Sequence, residues 1–442
     1  MIMALTDHQQ QRLDESLFIL NRSDRLRIKG SAGVGKTYMV DTLISILSKN
    51  IKSSEHIYCS APTNKAVSVL KDKVQKYDNL QFITTHAALK LKRNIDYKTG
   101  DISFKPSFDP KYPPLKNVKL FIIDEASMVN EELLDYIEAH ATINNCKVIF
   151  IGDDKQLNPV NEEESPVFMR DYPEVELTEI VRQKGGNPII DLSRNLSLIN
   201  TKEAQRSEIG GYIYTYDEDK IIETLAKING TDELKYLAYT NNEVDKINKK
   251  VRERIYGKPS KIEDGETLVF NAPYKEDYFT NQEILVKSSR VFEKQFQYLS
   301  NKTGVDDPTE NEEPKYRYIT LKCYSINPIY MEESDFTKAG WVDNIIVIHE
   351  DSEKEFDKLV KLLKDKAKFA DIGWKDYFEF VEQFADLKYN HAITVHKSQG
   401  STYKQAIVNI KNLNINQNEK EKKRLLYTAV TRASELLILY KV

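Results

Sequence analysis

The run Gly30-Ser31-Ala32-Gly33-Val34-Gly35-Lys36-Thr37 fits the pattern G-x-x-x-x-G-K-[ST] in full and sits between a strand-like and a helix-like segment. Glycines let the backbone N–H groups of such a loop curl around phosphates, and the helix that follows adds the favourable end of its dipole. Lys36 would reach the terminal phosphates and the Thr37 hydroxyl a Mg²⁺ ion. The expected ligand is therefore ATP or a similar triphosphate, cradled by Gly30, Ala32, Gly33, Val34, Gly35, Lys36 and Thr37.

Later in the chain Asp124 and Glu125 follow the apolar run Leu120-Phe121-Ile122-Ile123. In a phosphate-loop protein the first carboxylate would hold the magnesium shell and the second would orient and deprotonate an attacking water. A second carboxylate favours hydrolysis over transfer to a bound acceptor. Gln156, in Gly152-Asp153-Asp154-Lys155-Gln156-Leu157, is expected at the edge of the next strand, where it can touch the γ-phosphate and the neighbouring domain. Arg182, in Leu177-Thr178-Glu179-Ile180-Val181-Arg182-Gln183, and Arg432, in Tyr427-Thr428-Ala429-Val430-Thr431-Arg432-Ala433, lie in runs too apolar for casual surface. A guanidinium at the γ-phosphate stabilises transition-state charge, although a lone arginine does not by itself announce that role.

These residues need elements to position them. Strand-like runs end at Ile28, Ser60, Ile123 and Ile151, and Val40, Leu43, Ile44 and Leu47 mark one face of a helix after Lys36. Continuous apolar strands separated by helices predict a parallel sheet covered on both faces. The pattern returns near Tyr236–Tyr239, Ala392–Val395, Ala406–Ile410 and Leu436–Tyr440, so two α/β layers are expected, the second one interrupted. The interruption, about 261–387, reads as short β-like pieces, then a polar loop with Asp306, Asp307, Glu310, Glu312 and Glu313, then two helical stripes with ordinary core spacing. A smaller insertion over 94–114 has the alternation of a β-hairpin, Ile95 and Tyr97 before Lys98-Thr99-Gly100-Asp101, Ile102 and Phe104 after it.

Composition sets the outer bounds. A chain of 442 residues suggests roughly three domains. The net charge of -4 gives no global positive field, so any nucleic-acid surface must be local. One local excess exists: residues 390–442 carry nine basic side chains against three acidic. Cys59, Cys146 and Cys323 are an odd number and far apart, which argues against a zinc site or a disulfide framework. No apolar run approaches the ~20 residues of a membrane span, and the acidic N-terminal segment lacks the apolar stretch of a signal peptide. A soluble, cytoplasmic protein without membrane contact is expected.

Taken together, the motifs resemble those of superfamily 1 DNA helicases of the RecD-like branch. They occur in order over nearly the whole chain: Leu5-Thr6-Asp7-His8-Gln9, the phosphate loop, Ala61-Pro62-Thr63-Asn64-Lys65-Ala66, Thr84-Thr85-His86, Asp124-Glu125-Ala126-Ser127-Met128, Gly152 to Val160, the Arg182 segment, Ala238-Tyr239-Thr240-Asn241, Thr394-Val395-His396-Lys397-Ser398-Gln399-Gly400 and the Arg432 segment. The resemblance implies an α/β fold of two RecA-like P-loop NTPase domains, 1–93 with 115–180 and 181–260 with 388–442. It adds a β-hairpin pin at 94–114 and an SH3-like insertion with a helical projection at 261–387.

By the same resemblance, Gln9 would recognise adenine, and Gln156, Arg182, Gln399, Gly400 and Arg432 would contact or sense phosphates. Pro62, Thr63, Asn64, Lys65, Thr85, His86, Asn241, Thr394, His396 and Lys397 would line a path for single-stranded DNA, with Tyr97 and Phe104 on the pin. The implied activity is ATP- and Mg²⁺-dependent 5′ to 3′ translocation and unwinding by a monomer. Its implied partners are single-stranded and forked duplex DNA, with a single-stranded DNA-binding protein or replisome proteins alongside, in a host cytoplasm if the gene is phage-borne. The alternatives are an ATP-gated module that remodels protein–nucleic acid complexes without productive unwinding, and an RNA helicase. The chain departs from the family at Asn281-Gln282-Glu283, where Asn-Gly-Glu is usual: either Asn281 takes a positive φ or the turn differs.

Overall fold

The computed structural model describes residues 5–74, 77–96, 98–159, 162–179, 186–228, 233–275, 278–301, 315–330 and 344–440. Its first sheet has six strands in the order Leu80–Thr84, His56–Ala61, Val118–Ile123, Lys147–Gly152, Arg25–Gly30, Glu174–Leu177, and every pairing is parallel. Both faces are covered. Ile122 and Ile149 enter the core beneath the helix Lys36–Ser48, while Phe121, Ile123 and Phe150 enter a second core with the helix Glu131–Ile143. Burial on both faces is why these central strands read as unbroken apolar runs.

The second sheet runs Ala392–Thr394, Leu234–Ala238, Tyr403–Asn409, Ala433–Tyr440, Gly210–Thr215, Gln205–Ser207. It is parallel except for the last pair, which is antiparallel. The expectation of two α/β layers therefore holds, with four strands added to it. Leu80–Thr84, Glu174–Leu177 and Gln205–Ser207 are edge strands, where partial exposure replaces a continuous apolar run.

The chain divides into two compact units. One holds both parallel sheets, over Met1–Lys92, Pro106–Ile247 and His391–Val442; the other holds Arg93–Lys105 and Asn248–Asn390. In the second unit a five-stranded antiparallel sheet runs Ile345–Ile348, Lys315–Tyr330, Glu283–Asn301, Thr267–Phe270, Leu387–Tyr389. Two of its strands, of 19 and 16 residues, replace the short pieces read from the sequence. Their register continues from Ile284 opposite Tyr330 to Asn301 opposite Lys315. Exposed positions such as Tyr316 and Tyr318 break the apolar signal although the backbone ladder carries on. The expected acidic loop over 304–314 lies outside the described residues. The helices Glu350–Lys368 and Trp374–Val381 cover this sheet through Leu359, Leu363, Trp374, Tyr377 and Phe380.

The Asn281 question resolves toward positive φ. Asn281 has φ 65°, the Gln282 N–H donates to the Phe279 carbonyl at 3.1 Å, and the Gln282 Oε1 accepts the Phe279 N–H at 3.0 Å. A positive φ at the third residue of such a turn is tolerated by asparagine almost as by glycine.

The hairpin is present but shifted. Its strands are Leu91–Ile95 and Ile102–Pro106, so it begins before residue 94, and 107–114 is a connection. Gly100, at φ 79°, lies against Trp374, where an added Cβ would come 2.5 Å from the indole ring. Arg93 pairs with Glu382 and lies 5.6 Å from the centre of the Phe378 ring. Phe104 is exposed, and Tyr97 falls outside the described residues.

All three cysteines are buried free thiols. Among the described residues no helix is long and apolar enough to cross a membrane.

Candidate nucleotide and nucleic-acid site

Three adjacent parallel strands deliver the phosphate chemistry to one edge of the first sheet. Arg25–Gly30 leads into the loop, Val118–Ile123 into Asp124 and Glu125, and Lys147–Gly152 into Asp153 and Gln156. The carboxyl ends of parallel strands are where open α/β sheets bind ligands. The loop closes tightly: a Cβ on Gly30 would come 2.8 Å from the Leu177 carbonyl oxygen, and Gly33 and Gly35 take φ 87° and 78°. The Lys36 ammonium donates to the carbonyls of Gly30 at 2.5 Å and Ser31 at 3.1 Å. Gln9 is fully buried beside the loop. Its Nε2 donates to the Val34 carbonyl at 3.3 Å, and its Oε1 accepts the Thr6 N–H at 3.2 Å.

Glu125 leaves the strand in a left-handed conformation, φ 52° and ψ 41°. Asp124 accepts the Glu125 N–H at 2.9 Å. Burial raises the Asp124 carboxyl above the ordinary aspartate range, with the N–H of Glu125 and the charge of Lys36 opposing. Burial and the neighbouring Asp124 charge raise Glu125, and Arg432 and Lys36 pull it back. This donor set fits magnesium. The Thr37 hydroxyl and the Asp124 carboxylate are hard oxygen ligands, and a divalent cation would favour the ionised form that burial opposes.

The second sheet contributes its own groups to Glu125. Arg432, buried, donates from Nε to the Thr428 carbonyl at 3.0 Å and from a terminal nitrogen to the Ser401 carbonyl at 2.9 Å. Gly400 has φ 74° and lies against Ala66 and Glu125. Gln399 Nε2 donates to the Leu157 carbonyl at 3.3 Å. Gln156 is buried, and among the described residues its Oε1 has no hydrogen-bond partner. Arg182 lies outside the described residues.

One face of the helix Glu419–Val430 grips the loop after Gly152. Arg424 donates to the carbonyls of Asp154 and Gln156, the Tyr427 hydroxyl donates to Asp153 at 2.6 Å, and the Thr428 hydroxyl accepts the Leu157 N–H at 3.3 Å. None of these three side chains was singled out by the sequence reading. Their spacing, i, i+3, i+4, was the available signal.

The residues expected on a DNA path gather on neighbouring strands of each sheet. Pro62, Thr63, Asn64 and Lys65 follow His56–Ala61, and Thr85 and His86 follow Leu80–Thr84. In the second sheet Asn241 follows Leu234–Ala238, and His396 and Lys397 follow Ala392–Thr394. Asn241 and Lys397 are exposed; Pro62, Thr63, Asn64, His86 and His396 are half-buried. Two members differ from the expectation. Thr85 is fully buried, its hydroxyl 3.1 Å from that of Ser60, so it braces the strand end and offers no side chain to a ligand. Thr394 is buried too, and its hydroxyl accepts the Lys397 N–H at 3.4 Å. Asn412, which the sequence reading missed, holds the segment before Asn241 by accepting the N–H groups of Tyr239 at 2.7 Å and Thr240 at 3.0 Å. Burial lowers the pKa of His86 and of His396, the latter partly restored by Glu421.

Residues 5–218 match the family model described as an AAA domain, and residues 389–440 match the UvrD-like helicase C-terminal domain. Over 94% of its length the chain is 27% identical to the ATP-dependent DNA helicase dda of Enterobacteria phage T4, with 94% of that protein covered. It is 26% identical to uncharacterized protein R530 of Acanthamoeba polyphaga mimivirus, over 92% of this chain and 93% of the other. It is 27% identical to the RecBCD enzyme subunit RecD of Buchnera aphidicola subsp. Schizaphis graminum, over 98% of this chain and 72% of the other. The chain carries the two halves of a superfamily 1 helicase, an AAA domain followed by a UvrD-like helicase C-terminal domain. In this helicase the AAA-domain match spans the phosphate loop, both carboxylates and Gln156, and the C-terminal match spans Gln399, Gly400, Tyr427 and Arg432.

Proposed function

We propose that this helicase hydrolyses ATP between its two parallel sheets and uses the cycle to move 5′ to 3′ along single-stranded DNA and to separate duplex DNA ahead of it. The observation that carries the reading is the convergence on Glu125. Lys36 of the phosphate loop, Asp124 and Asp153 act on it from one sheet, and Arg432 and Gly400 from the other. Lys36 would bind the terminal phosphates, and Gln9, beside Val34, would face the base. Magnesium, held by Thr37 and Asp124, would offset phosphate charge when bound. Glu125 would take a proton from the attacking water, and Arg432, with Arg182, would stabilise charge on the transferred phosphoryl group.

Because the hydrolytic groups are shared between sheets, closing and opening around ATP would shift one sheet's strand-end groups against the other's. Strand-end amides and small polar groups suit phosphate contacts, which hold a strand without reading its sequence. On this reading Pro62, Thr63, Asn64, Lys65, His86, Asn241, His396 and Lys397 touch the strand, and Thr85 and Thr394 hold the backbone that does. Residues 261–387 act as an SH3-like subdomain with a helical projection, and the hairpin acts as the pin. The 5′ to 3′ direction, displacement of bound proteins, action as a monomer, and service in phage replication or recombination beside a single-stranded DNA-binding protein follow the family resemblance.

The deciding experiment is unwinding of matched 5′-tailed and 3′-tailed duplexes, each in DNA and in RNA. ATP-dependent opening of the 5′-tailed DNA alone is expected. Preference for the RNA pair, or for the 3′ tail, overturns the substrate or the direction respectively. Hydrolysis and protein displacement without strand opening would favour a remodelling module.

A further inference from the structure

The Tyr427 hydroxyl lies between two groups of the first sheet. It accepts the Ala32 N–H at 3.4 Å and donates to the Asp153 carboxylate at 2.6 Å. Ala32 is a residue of the phosphate loop, and Asp153 begins the turn that holds Gln156, whose N–H donates to the Asp153 carbonyl at 3.2 Å. The tyrosine is 5% exposed, so its ring is held by packing. Burial and the Asp153 charge push the phenol well above its ordinary range, so it stays a donor to Asp153. What it offers Ala32 is a neutral oxygen. A phosphate oxygen is an anionic acceptor, and hydrogen bonds to ionised acceptors are roughly twice as strong as neutral ones.

We infer that Tyr427 is a positioning residue that reports phosphate occupancy of the loop to the helix Glu419–Val430. A triphosphate takes the Ala32 N–H from the phenol, and the phenol remains tied to Asp153. The same helix receives the Arg432 Nε at the Thr428 carbonyl and sends Arg424 to the carbonyls of Asp154 and Gln156. Exchange of one hydrogen bond at Ala32 thus changes how the helix bearing the Arg432 anchor is held against the Gln156 turn. The inference rests on the ATPase reading above and adds to it a residue that touches neither base nor metal.

The test is steady-state ATP hydrolysis by full-length Tyr427→Phe across ATP concentrations, with saturating oligo(dT). The expected result is a KM for ATP lowered about threefold, because the competing acceptor is gone, together with a kcat lowered about tenfold, because the link to Asp153 is gone. A packing defect that loosens the nucleotide site raises KM as kcat falls, whereas here both constants fall. Constants within twofold of the parent, or a raised KM, overturn the inference. Should the variant melt several degrees early, 3-fluorotyrosine placed at position 427 of the full chain supplies the readout. Its ¹⁹F resonance is expected to move when Mg²⁺ and the non-hydrolysable analogue AMP-PNP are added without DNA, and an unmoved resonance at saturation overturns the inference. A parent chain without DNA-stimulated turnover removes the ATPase reading and the inference together, whereas parental turnover with unaltered Tyr427→Phe constants removes the inference alone.

Discussion

Gly400 meets Glu125 across the two parallel sheets: a Cβ at Gly400 would lie 3.9 Å from the Glu125 Cγ and 3.0 Å from the Ala66 Cβ, at φ 74°. The stem of the proposed general base is thus walled by backbone from the second sheet, and only glycine fits that wall without strain. Gly400→Ala is expected to cost about 1–2 kcal/mol from the left-handed backbone alone and to lower ATP turnover about tenfold, because relief of the 3.0 Å approach to Ala66 moves the backbone that stands against Glu125. Thermal melting and steady-state hydrolysis check both parts. Parental turnover in a destabilised variant would show that the close approach serves packing only.

Lys36 and Glu125 should fail in different ways. Lys36 is half-buried, and its ammonium bonds to the carbonyls of Gly30 and Ser31, so Lys36→Ala empties no core and should abolish hydrolysis with melting little changed. Glu125→Gln keeps the shape and loses the base, so ATP should still bind while turnover falls by about 10²–10⁴. Nucleotide binding measured beside turnover separates the two cases.

The buried carboxylates should make stability depend on pH in a defined direction. Asp124 and Glu125 are both raised above their ordinary values by burial. The folded state therefore binds protons more tightly than the unfolded chain. Their contribution is fully present below the unfolded pKa of ~4 and is lost as pH rises through the raised folded values. At neutral pH without nucleotide, each ionised carboxylate opposes folding. Asp124→Asn, whose side-chain oxygen can still accept the Glu125 N–H, should raise the melting temperature at pH 7 by about 1 °C, on the order of 1 kcal/mol. The gain should shrink toward pH 4. An equal gain at both pH values would mean that ionisation is not its source.

Much of this site could be read from residues alone because its chemistry is carried by short motifs at the ends of doubly buried strands. Gly30–Thr37, Asp124, Glu125 and Gln156 stand at the strand ends where the apolar runs predicted them. The second tier was harder to see, because Tyr427, Arg424 and Asn412 act on backbone groups distant in sequence. Thr85 shows the reverse: a polar residue in a recognised motif was read as a ligand-facing group, whereas its hydroxyl satisfies Ser60 in the interior. In the second unit the long strands Glu283–Asn301 and Lys315–Tyr330 lacked a clear signal, since a half-exposed ladder mixes tyrosine, arginine and glutamine into its apolar alternation.

The hairpin carries the prediction that separates unwinding from translocation. Its first strand begins shortly after the helix Thr85–Ala88, so it is tethered to the strand-end groups proposed to hold DNA. Opening duplex DNA works against stacking of about 1.4 kcal/mol per base-pair step, which calls for an obstacle that does not yield. The hairpin has supports of that kind: the Gly100 backbone lies on the Trp374 ring, Trp374 is 7% exposed, and Arg93 is held by Glu382 and Phe378. Removing Trp374 itself would confuse the result, because loss of a buried tryptophan costs about 3–5 kcal/mol wherever it packs. Replacing residues 98–104 by a short Gly-Ser link deletes the tip and leaves that core in place. DNA-stimulated hydrolysis should stay within about twofold, while duplex opening should fall at least tenfold on the same preparation. Arg93→Ala, which removes a surface pair worth no more than about 1 kcal/mol, should give a partial loss of the same kind. If strand opening and hydrolysis both survive loss of the tip, the wedge lies elsewhere in the chain.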